Sequence, residues 1–180
     1  MALKATIFKA ELTVSDLDRG HYHTHVLTIA RHPSETDERM MVRLLAFALN
    51  ADERLAFGRG LSSEGEADLV LTDLTGAIDL WIDVGLPEER EIRKAAGRAC
   101  RVAVYTYGTG AELWWKQNAA AMQRLANVAV IDFPVETTRA MAARAARNMK
   151  LQCTIQDGHV WLADAETSLA IEPVVRKEAA

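Results

Sequence analysis

Ala77-Ile-Asp-Leu-Trp-Ile-Asp-Val-Gly85 is the stretch of sequence that decides the fold. Apolar residues fill every second position, so the pattern predicts a β-strand over 77–84 with one fully apolar face. The opposite face carries Asp79, Trp81 and Asp83. Because a solvated sheet face seldom contains a tryptophan, this acidic face is a candidate functional surface.

The residues upstream predict a helix, a loop and a second strand. Ser34 has the residue type of a helix N-cap and is predicted to start the helix. One face of this helix would carry Glu38, Val42, Leu45 and Leu49, which places a carboxylate at the N-terminal end of an apolar stripe. Residues 50–67 contain Gly58, Gly60, Ser62, Ser63 and Gly65 and predict a surface loop. A short strand from Ala67 and a turn over 73–76 then lead into the central strand.

Helices and strands alternate after the central strand. The pattern predicts helices over 87–98, 110–126 and 135–149, and strands over 101–107 and 128–133. Strands that alternate with helices indicate a parallel portion of a sheet. The sequence therefore predicts an α/β fold in which helices flank a mixed sheet.

Hairpins are predicted at both ends of the chain. At the start, residues 2–14 and 21–30 read as two strands joined by a polar turn. At the end, strands over 151–155 and 159–163 surround Asp157 and Gly158, the dipeptide most typical of a tight hairpin. A last strand is predicted over 168–172, before Pro173. The whole chain, 1–180, is predicted to form one domain.

Composition and charge favour a soluble cytoplasmic protein. The 180 residues are 49% hydrophobic and 26% charged, which is ordinary for a globular domain. No apolar run approaches the ~20 residues of a membrane helix, and the N-terminus lacks the apolar stretch of a secretory signal. Cys100 and Cys153 lie far apart and are predicted to be buried free thiols. The net charge of −4 gives no general attraction to polyanions.

Four carboxylates are candidates for chemistry. If the predicted strands pair, Asp68, Asp79 and Asp83 could converge with Glu38 at one end of the sheet. Two carboxylates ~4 Å apart repel by ~4 kcal/mol at an effective dielectric of 20. Such a cluster needs protons, basic partners or a cation, and oxygen ligands suit Mg²⁺, Mn²⁺ or Ca²⁺. The alternative is a solvated face on which Asp79 and Asp83 pair with arginines.

Two resemblances extend this interpretation. Ile82-Asp-Val-Gly85 is similar to the strand signature of the PD-(D/E)XK nuclease-like superfamily, with Asp68 at the position of its first aspartate and Glu38 at that of its helix acid. Over nearly its full length the chain resembles the YaeQ family, whose fold is regarded as a variant of that nuclease core. The stretches that carry this second resemblance are Ala2-Leu-Lys-Ala-Thr-Ile, Ala30-Arg-His-Pro-Ser-Glu-Thr-Asp-Glu-Arg-Met-Met, Asp73-Leu-Thr-Gly-Ala-Ile and Leu151-Gln-Cys-Thr-Ile-Gln-Asp-Gly.

The resemblance implies hydrolysis of nucleic acid with Mg²⁺ or Mn²⁺. Asp68 and Asp83 would hold the cation, and Glu38, Asp79 and Lys94 would complete the catalytic set. The chain departs from the pattern at Gly85, where the superfamily has a lysine. Lys94 is the predicted replacement and Arg93 its rival. This departure leaves open a non-catalytic interaction or regulatory protein that binds a protein partner.

Three histidines alternate along the second predicted strand. His21, His23 and His25 would point to one face, but residues two apart on a strand lie ~7 Å apart. Imidazole nitrogens that share a Zn²⁺ ion must lie only ~3–4 Å apart. A solvated strand face is therefore predicted in preference to a metal site.

Overall fold

The computed structural model describes residues 4–58 and 65–180, and these contain eleven strands in two mixed sheets and four helices. In spatial order, the first sheet consists of β10 (Ser168–Ile171), β9 (His159–Ala163), β8 (Asn148–Gln156), β1 (Thr6–Asp16) and β2 (His21–Arg31). The second consists of β11 (Val174–Lys177), β7 (Val128–Phe133), β6 (Ala99–Tyr107), β5 (Ile78–Val84), β4 (Leu69–Thr72) and β3 (Leu55–Phe57). The helices are α1 (Asp37–Leu49), α2 (Glu89–Arg98), α3 (Ala111–Gln123) and α4 (Val135–Ala142).

The first sheet is made from the two terminal hairpins that the sequence predicts. β1 pairs with β2 along its whole length, and its other edge pairs in parallel with β8, from Lys9 opposite Asn148 to Asp16 opposite Ile155. The hairpins thus merge into one sheet, which the sequence did not predict. Alternate side chains of β1, among them Leu12 and Val14, are fully buried, so this central strand is covered on its inner face.

The second sheet confirms the predicted alternation of strands and helices. β5, β6 and β7 are parallel, with α2 and α3 as the connections between them. β4 and β3 extend the sheet in antiparallel fashion beyond β5. β11 adds an antiparallel edge beyond β7. The last predicted strand, 168–172, ends before Pro173, so β11 was not predicted.

Helix α1 lies in the core between the two sheets. Its residues 40–48 are all buried, so the buried surface of the helix includes Val42 and Leu45 of the predicted stripe and extends around the other sides. One cluster of buried side chains includes Leu12 of the first sheet, Leu45 of α1 and Ile82 of the second sheet. The N-cap is Thr36, whose side chain accepts from the N–H of Arg39, and not Ser34. Ser34 instead hydrogen-bonds the ring of His32.

Other predicted boundaries also shift. The helix predicted over 135–149 ends at Ala142, because residues from Asn148 onward pair with β1 and this pairing overrides the helix propensity of the alanines. The predicted loop 50–67 contains β3, and its Gly60, Ser62 and Ser63 lie outside the described residues.

The predictions for the two cysteines and for membrane helices can also be compared with the structure. Cys100 and Cys153 are both free thiols, but Cys100 is exposed and only Cys153 is buried. In the part of the chain that the structure describes, no helix has both the length and the apolar character needed to cross a membrane.

A buried ion pair ties α1 to the segment that precedes it. Arg43 and Glu35 have fully buried side chains, and Nη2 of Arg43 donates to Oε1 of Glu35 at 2.7 Å. The same nitrogen donates to the carbonyl of Ala30 at 2.9 Å. Removal of one partner of such a pair leaves an uncompensated charge in the interior.

We expect Arg43→Met to lower the free energy of unfolding by about 3–5 kcal/mol, because the Glu35 carboxylate then loses a buried cation. Urea denaturation measures this loss. The double variant Glu35→Gln/Arg43→Met should be more stable than Arg43→Met alone, and the exposed Arg101→Met should change stability by less than about 0.5 kcal/mol. A double variant less stable than Arg43→Met would contradict this account of the pair.

Candidate functional site

The antiparallel pairing of β4 with β5 brings Asp68 close to Asp83. Asp68 directly precedes β4, and Asp83 is the penultimate residue of β5, so the start of one strand lies beside the end of the other. The backbone N–H of Asp68 donates to the carbonyl of Ile82 at 2.9 Å. Both aspartates are buried, with 4% and 8% of their surface exposed.

Both carboxyl side chains line one cavity of about 970 Å³. The cavity lies beyond the carboxyl ends of the parallel strands β5 and β6, where Gly85 and Gly108 leave the sheet, and α2 runs along its side. In open α/β sheets this edge is the usual place for a ligand. α2 contributes Arg93, Lys94 and Arg98 to the lining of the cavity, together with Glu91.

Arg39 of α1 holds Asp68 in place. Its Nη2 donates to Oδ1 of Asp68 at 2.7 Å and to the backbone carbonyl of Val84 at 3.3 Å. The other carboxylate oxygen of Asp68 accepts from the N–H of Val84 at 2.7 Å. Both oxygens of Asp68 are therefore already hydrogen-bonded, one of them to a guanidinium.

The guanidinium of Arg39, which contacts Asp68, belongs to a chain of alternating charges. Nη1 of Arg39 donates to Oε2 of Glu35 at 3.0 Å, and Oε1 of Glu35 is bonded to Arg43. Sequence reasoning missed this chain because it considered Glu38 and not Glu35. The spacing of Glu35, Arg39 and Arg43 at i, i+4 and i+8 could have indicated it, since such residues share one side of a helix.

Asp83 has a different environment from Asp68. Its Oδ1 accepts a hydrogen bond of 2.9 Å from the indole N–H of Trp81. Burial, and after it the negative charge of Asp68, raises the pKa of Asp83 to about 7, although the hydrogen bond from Trp81 and the charge of Arg39 oppose the shift. A carboxyl whose pKa is raised by burial and a neighbouring charge is common at functional sites.

The other predicted site residues lie at varying distances from this pair. Lys94 lines the cavity, but its Nζ is 3.3 Å from Oε1 of Glu91, and its rival Arg93 donates to Glu89 at 3.0 Å. Glu38 is partly buried and does not line the cavity. Tyr107 does line it, and its pKa is raised mainly by burial and to a smaller extent by the charge of Glu38.

Asp79 does not line the cavity either. Its Oδ2 lies 4.0 Å from Nη1 of Arg54, and it precedes Asp83 by four residues. Four residues of a strand span roughly 13 Å, so Asp79 and Asp83 lie on the same face of β5 but too far apart to belong to one site. The structure brings together Asp68, Asp83 and Arg39, with Lys94 on the cavity wall.

Gly85 occupies the position at which the resembled signature has a lysine. Its φ is +108°, a backbone conformation that favours glycine, and its N–H donates to the carbonyl of Tyr105 at 2.9 Å. A lysine here would strain the turn that leads from β5 towards α2. The departure from the signature therefore has a backbone cause.

The oxygen atoms at the cavity floor match the ligands of hard divalent cations in type. They comprise the carboxyl oxygens of Asp68 and Asp83 and the backbone carbonyl of Val84. Across residues 4–58 and 65–180, no three His, Cys, Asp or Glu side chains are arranged to hold a metal ion. The protein thus offers two carboxyls and one carbonyl, and water would have to complete a coordination shell.

The three histidines of β2 are closer together than their spacing suggests. Nε2 of His21 and Nε2 of His25 are 3.0 Å apart, while His23 lies 3.8 Å from Oε1 of Glu53. The predicted solvated face is wrong for His25, which is buried against Phe47. Burial lowers the pKa of His25, and the charges of His23 and His21 lower it further.

Comparison with known proteins gives consistent results over nearly the whole chain. A family model described as YaeQ protein matches residues 1–173. The chain is 49% identical to "Uncharacterized protein YaeQ" of Escherichia coli (strain K12) over 172 residues, which is 95% of each chain. It superimposes on the crystal structure of YaeQ protein from Xanthomonas axonopodis pv. citri with a TM-score of 0.93 and 51% identity, covering 98% of this chain and 99% of that one. The structure from Pseudomonas syringae gives the same TM-score at 36% identity and 97% coverage of both chains.

The environment of Asp83 predicts a pH dependence of stability. Its carboxyl ionises near 3.8 when unfolded and near 7 when folded, so the folded state keeps a proton that the unfolded state has lost. Relative to Asp83→Asn, the free energy of unfolding should fall by about 2–4 kcal/mol as the pH rises from about 4 to about 8. Denaturation of both proteins across this range measures the difference. A difference that stays constant with pH would contradict the raised pKa.

The backbone at Gly85 predicts the effect of adding a side chain. Gly85→Ala should lower the free energy of unfolding by about 1–2 kcal/mol, because alanine is strained at this positive φ. Gly97→Ala is the matched control, since Gly97 lies in α2 with open space around it and helical alanine is favoured by up to about 1 kcal/mol. Thermal denaturation compares the two, and equal changes would rule out strain at Gly85.

Proposed function

The chain belongs to the YaeQ family, and we propose that it is a variant of the PD-(D/E)XK nuclease core that hydrolyses phosphodiester bonds of nucleic acid with Mg²⁺ or Mn²⁺. The observation that carries this proposal is the meeting of Asp68 and Asp83 in one cavity at the carboxyl ends of the parallel strands. The order α1, β3, β4, β5, α2, β6 contains the helix, two strands, helix and strand of the core that the sequence resembles, with β3 added after α1. A cytoplasmic location stays a prediction.

The residues at the floor of the cavity would bind the cation, and those on its wall would bind the phosphate. Asp68, Asp83 and the carbonyl of Val84 would hold the cation, which supplies Lewis-acid chemistry to a phosphate ester. Arg93, Lys94 and Arg98 would attract the phosphate backbone, because they face the cavity from α2. Glu66, Glu88 and Glu91 line the same cavity, and Lys94 and Arg93 are paired with Glu91 and Glu89, so a phosphate would have to compete with these acids for the basic groups.

Asp83 would also act through its protonation. Near neutral pH its pKa of about 7 leaves a fraction of the carboxyl charged, and binding of a cation favours the charged form. The indole N–H of Trp81 donates to Oδ1 of Asp83 and so restrains the orientation of this carboxyl group. Glu38 and Asp79 remain predictions as catalytic residues, since neither lines the cavity.

A second candidate function is a non-catalytic interaction or regulatory protein on the same fold. Two observations favour it: Gly85 replaces the lysine of the signature, and Asp68 is already paired with Arg39. In this case the carboxyls would stabilise the fold without turnover, and a protein would be the partner. The two candidates differ in their response to a divalent cation.

Thermal denaturation tests the cation site without any assumption about activity. Saturating Mn²⁺ should raise the melting temperature of the wild type by several degrees, because a ligand that binds only the folded state stabilises it. Asp83→Asn should lose this response. An equal rise in both proteins would locate the effect of Mn²⁺ elsewhere.

Hydrolysis tests the reaction itself. Supercoiled DNA, single-stranded DNA and RNA are incubated separately with the protein and Mn²⁺, and bis(p-nitrophenyl) phosphate serves as a small diester. We expect cleavage that falls about 100-fold or more in Asp68→Asn and in Asp83→Asn. Asp157→Asn is the control and should retain the activity within about twofold, because this exposed carboxylate lies outside the cavity.

The result decides between the two candidates. Cleavage of any substrate that depends on both Asp68 and Asp83 supports a phosphodiesterase and identifies the substrate class. Cleavage that survives both substitutions comes from a contaminant. A wild type that cleaves none of these substrates and shows no response to Mn²⁺ favours the non-catalytic protein.

A further inference from the structure

Arg39 lies where a cation held at the cavity floor would have to lie. Its Nη2 contacts Oδ1 of Asp68 at 2.7 Å and the carbonyl oxygen of Val84 at 3.3 Å. These are two of the oxygen atoms that the proposed function assigns to a divalent cation. One nitrogen of the guanidinium therefore takes the contacts that the metal would need.

The charges around Arg39 are balanced with the guanidinium in place. Arg39 and Arg43 carry two positive charges, and Glu35 and Asp68 carry two negative charges, in one connected and largely buried network. A divalent cation added beside Arg39 would meet the repulsion of a nearby like charge in a region of low dielectric. Because Nη2 of Arg39 occupies Oδ1 of Asp68 and the carbonyl oxygen of Val84, a cation takes these two ligands only if Arg39 withdraws from Asp68.

Arg39 has a second acid that can retain it. Its Nη1 is bonded to Oε2 of Glu35 at 3.0 Å, independently of the contacts that Nη2 makes. The side chain is 15% exposed and lines the cavity, so there is open space on one side of it. A rotation that releases Asp68 would therefore leave the guanidinium bonded to Glu35 and turn Nη2 towards the cavity.

We propose that Arg39 is a built-in counter-cation that competes with the divalent metal for Asp68 and Val84. This inference rests on the proposed function. Metal entry displaces Nη2 of Arg39 from the cavity floor, and departure of the metal restores the ion pair. The acidic site thus keeps a compensating charge at all times, and the affinity for metal is set by Arg39 as well as by the ligands.

Isothermal titration with Mn²⁺ alone tests the competition. We expect Arg39→Gln to bind Mn²⁺ about tenfold or more tightly than the wild type, because the charged hydrogen bond that the metal must break is absent. Arg93→Gln is the matched control: it removes the same charge from the wall of the same cavity but not from Asp68, and its affinity should stay within about threefold of the wild type. Adding Asp83→Asn should abolish binding in both the wild type and Arg39→Gln.

The outcomes separate this inference from the proposed function. Unchanged affinity in Arg39→Gln, with binding that still depends on Asp83, overturns the competition and leaves the metal site intact. An equal gain in Arg39→Gln and Arg93→Gln shows a general effect of charge and also overturns it. Binding that is absent, or independent of Asp83, in both wild type and Arg39→Gln overturns the metal site and the competition together.

A second variant covers loss of folding. If circular dichroism shows that Arg39→Gln is unfolded, Arg39→Lys replaces it, because lysine keeps the charge but presents it as a single point instead of a fork. A lysine cannot maintain the contacts to Glu35, Asp68 and Val84 together, so Arg39→Lys should bind Mn²⁺ more tightly than the wild type. Equal or weaker binding by Arg39→Lys would overturn the competition.

Discussion

The ion-pair chain from Arg43 through Glu35 and Arg39 to Asp68 is the interaction on which the rest of the structure depends. It begins at Arg43 of α1, passes through Glu35 two residues before the helix, returns to α1 at Arg39, and ends at Asp68, the residue before β4. Charges buried to this degree are tolerated only when each has a partner, so helix and sheet must meet in one geometry. The cavity, its acidic floor and the N-terminus of α1 all follow from that geometry.

The two aspartates illustrate how position on a sheet creates chemical difference. Asp68 accepts bonds from a guanidinium and a backbone N–H, whereas Asp83 has an indole N–H and a neighbouring negative charge. Identical side chains a short distance apart therefore have different hydrogen-bond partners, and at Asp83 burial and the charge of Asp68 raise the pKa. Gly85, which follows two residues after Asp83, shows the same principle in the backbone: the turn after β5 requires a positive φ and excludes the lysine of the resembled signature.

Sequence patterns predicted the elements in which local signals agree. β7 was predicted over 128–133, the bounds that it has, and the turn at Asp157 and Gly158 joins β8 to β9 as expected. The encounter of Asp68 and Asp83 was also expected, because neighbouring strands carry them. The pairing of β1 with β8, the early end of α4 and the contact of Arg39 with Asp68 were not, since each depends on residues that are distant in sequence. An arginine side chain places its guanidinium about 6–7 Å from the backbone, and local periodicity does not predict which distant residue the guanidinium contacts.

The parallel pairing of β1 with β8 has a consequence for the order of assembly. The first hairpin leaves the ribosome long before residues 148–156 are made, so the edge of β1 that pairs with β8 stays unpaired during this time. Contacts between residues that are ~140 positions apart raise the contact order and slow folding. Until synthesis ends, the nascent chain presents an open strand edge that other chains could pair with, which makes the N-terminal hairpin the segment most exposed to aggregation during translation.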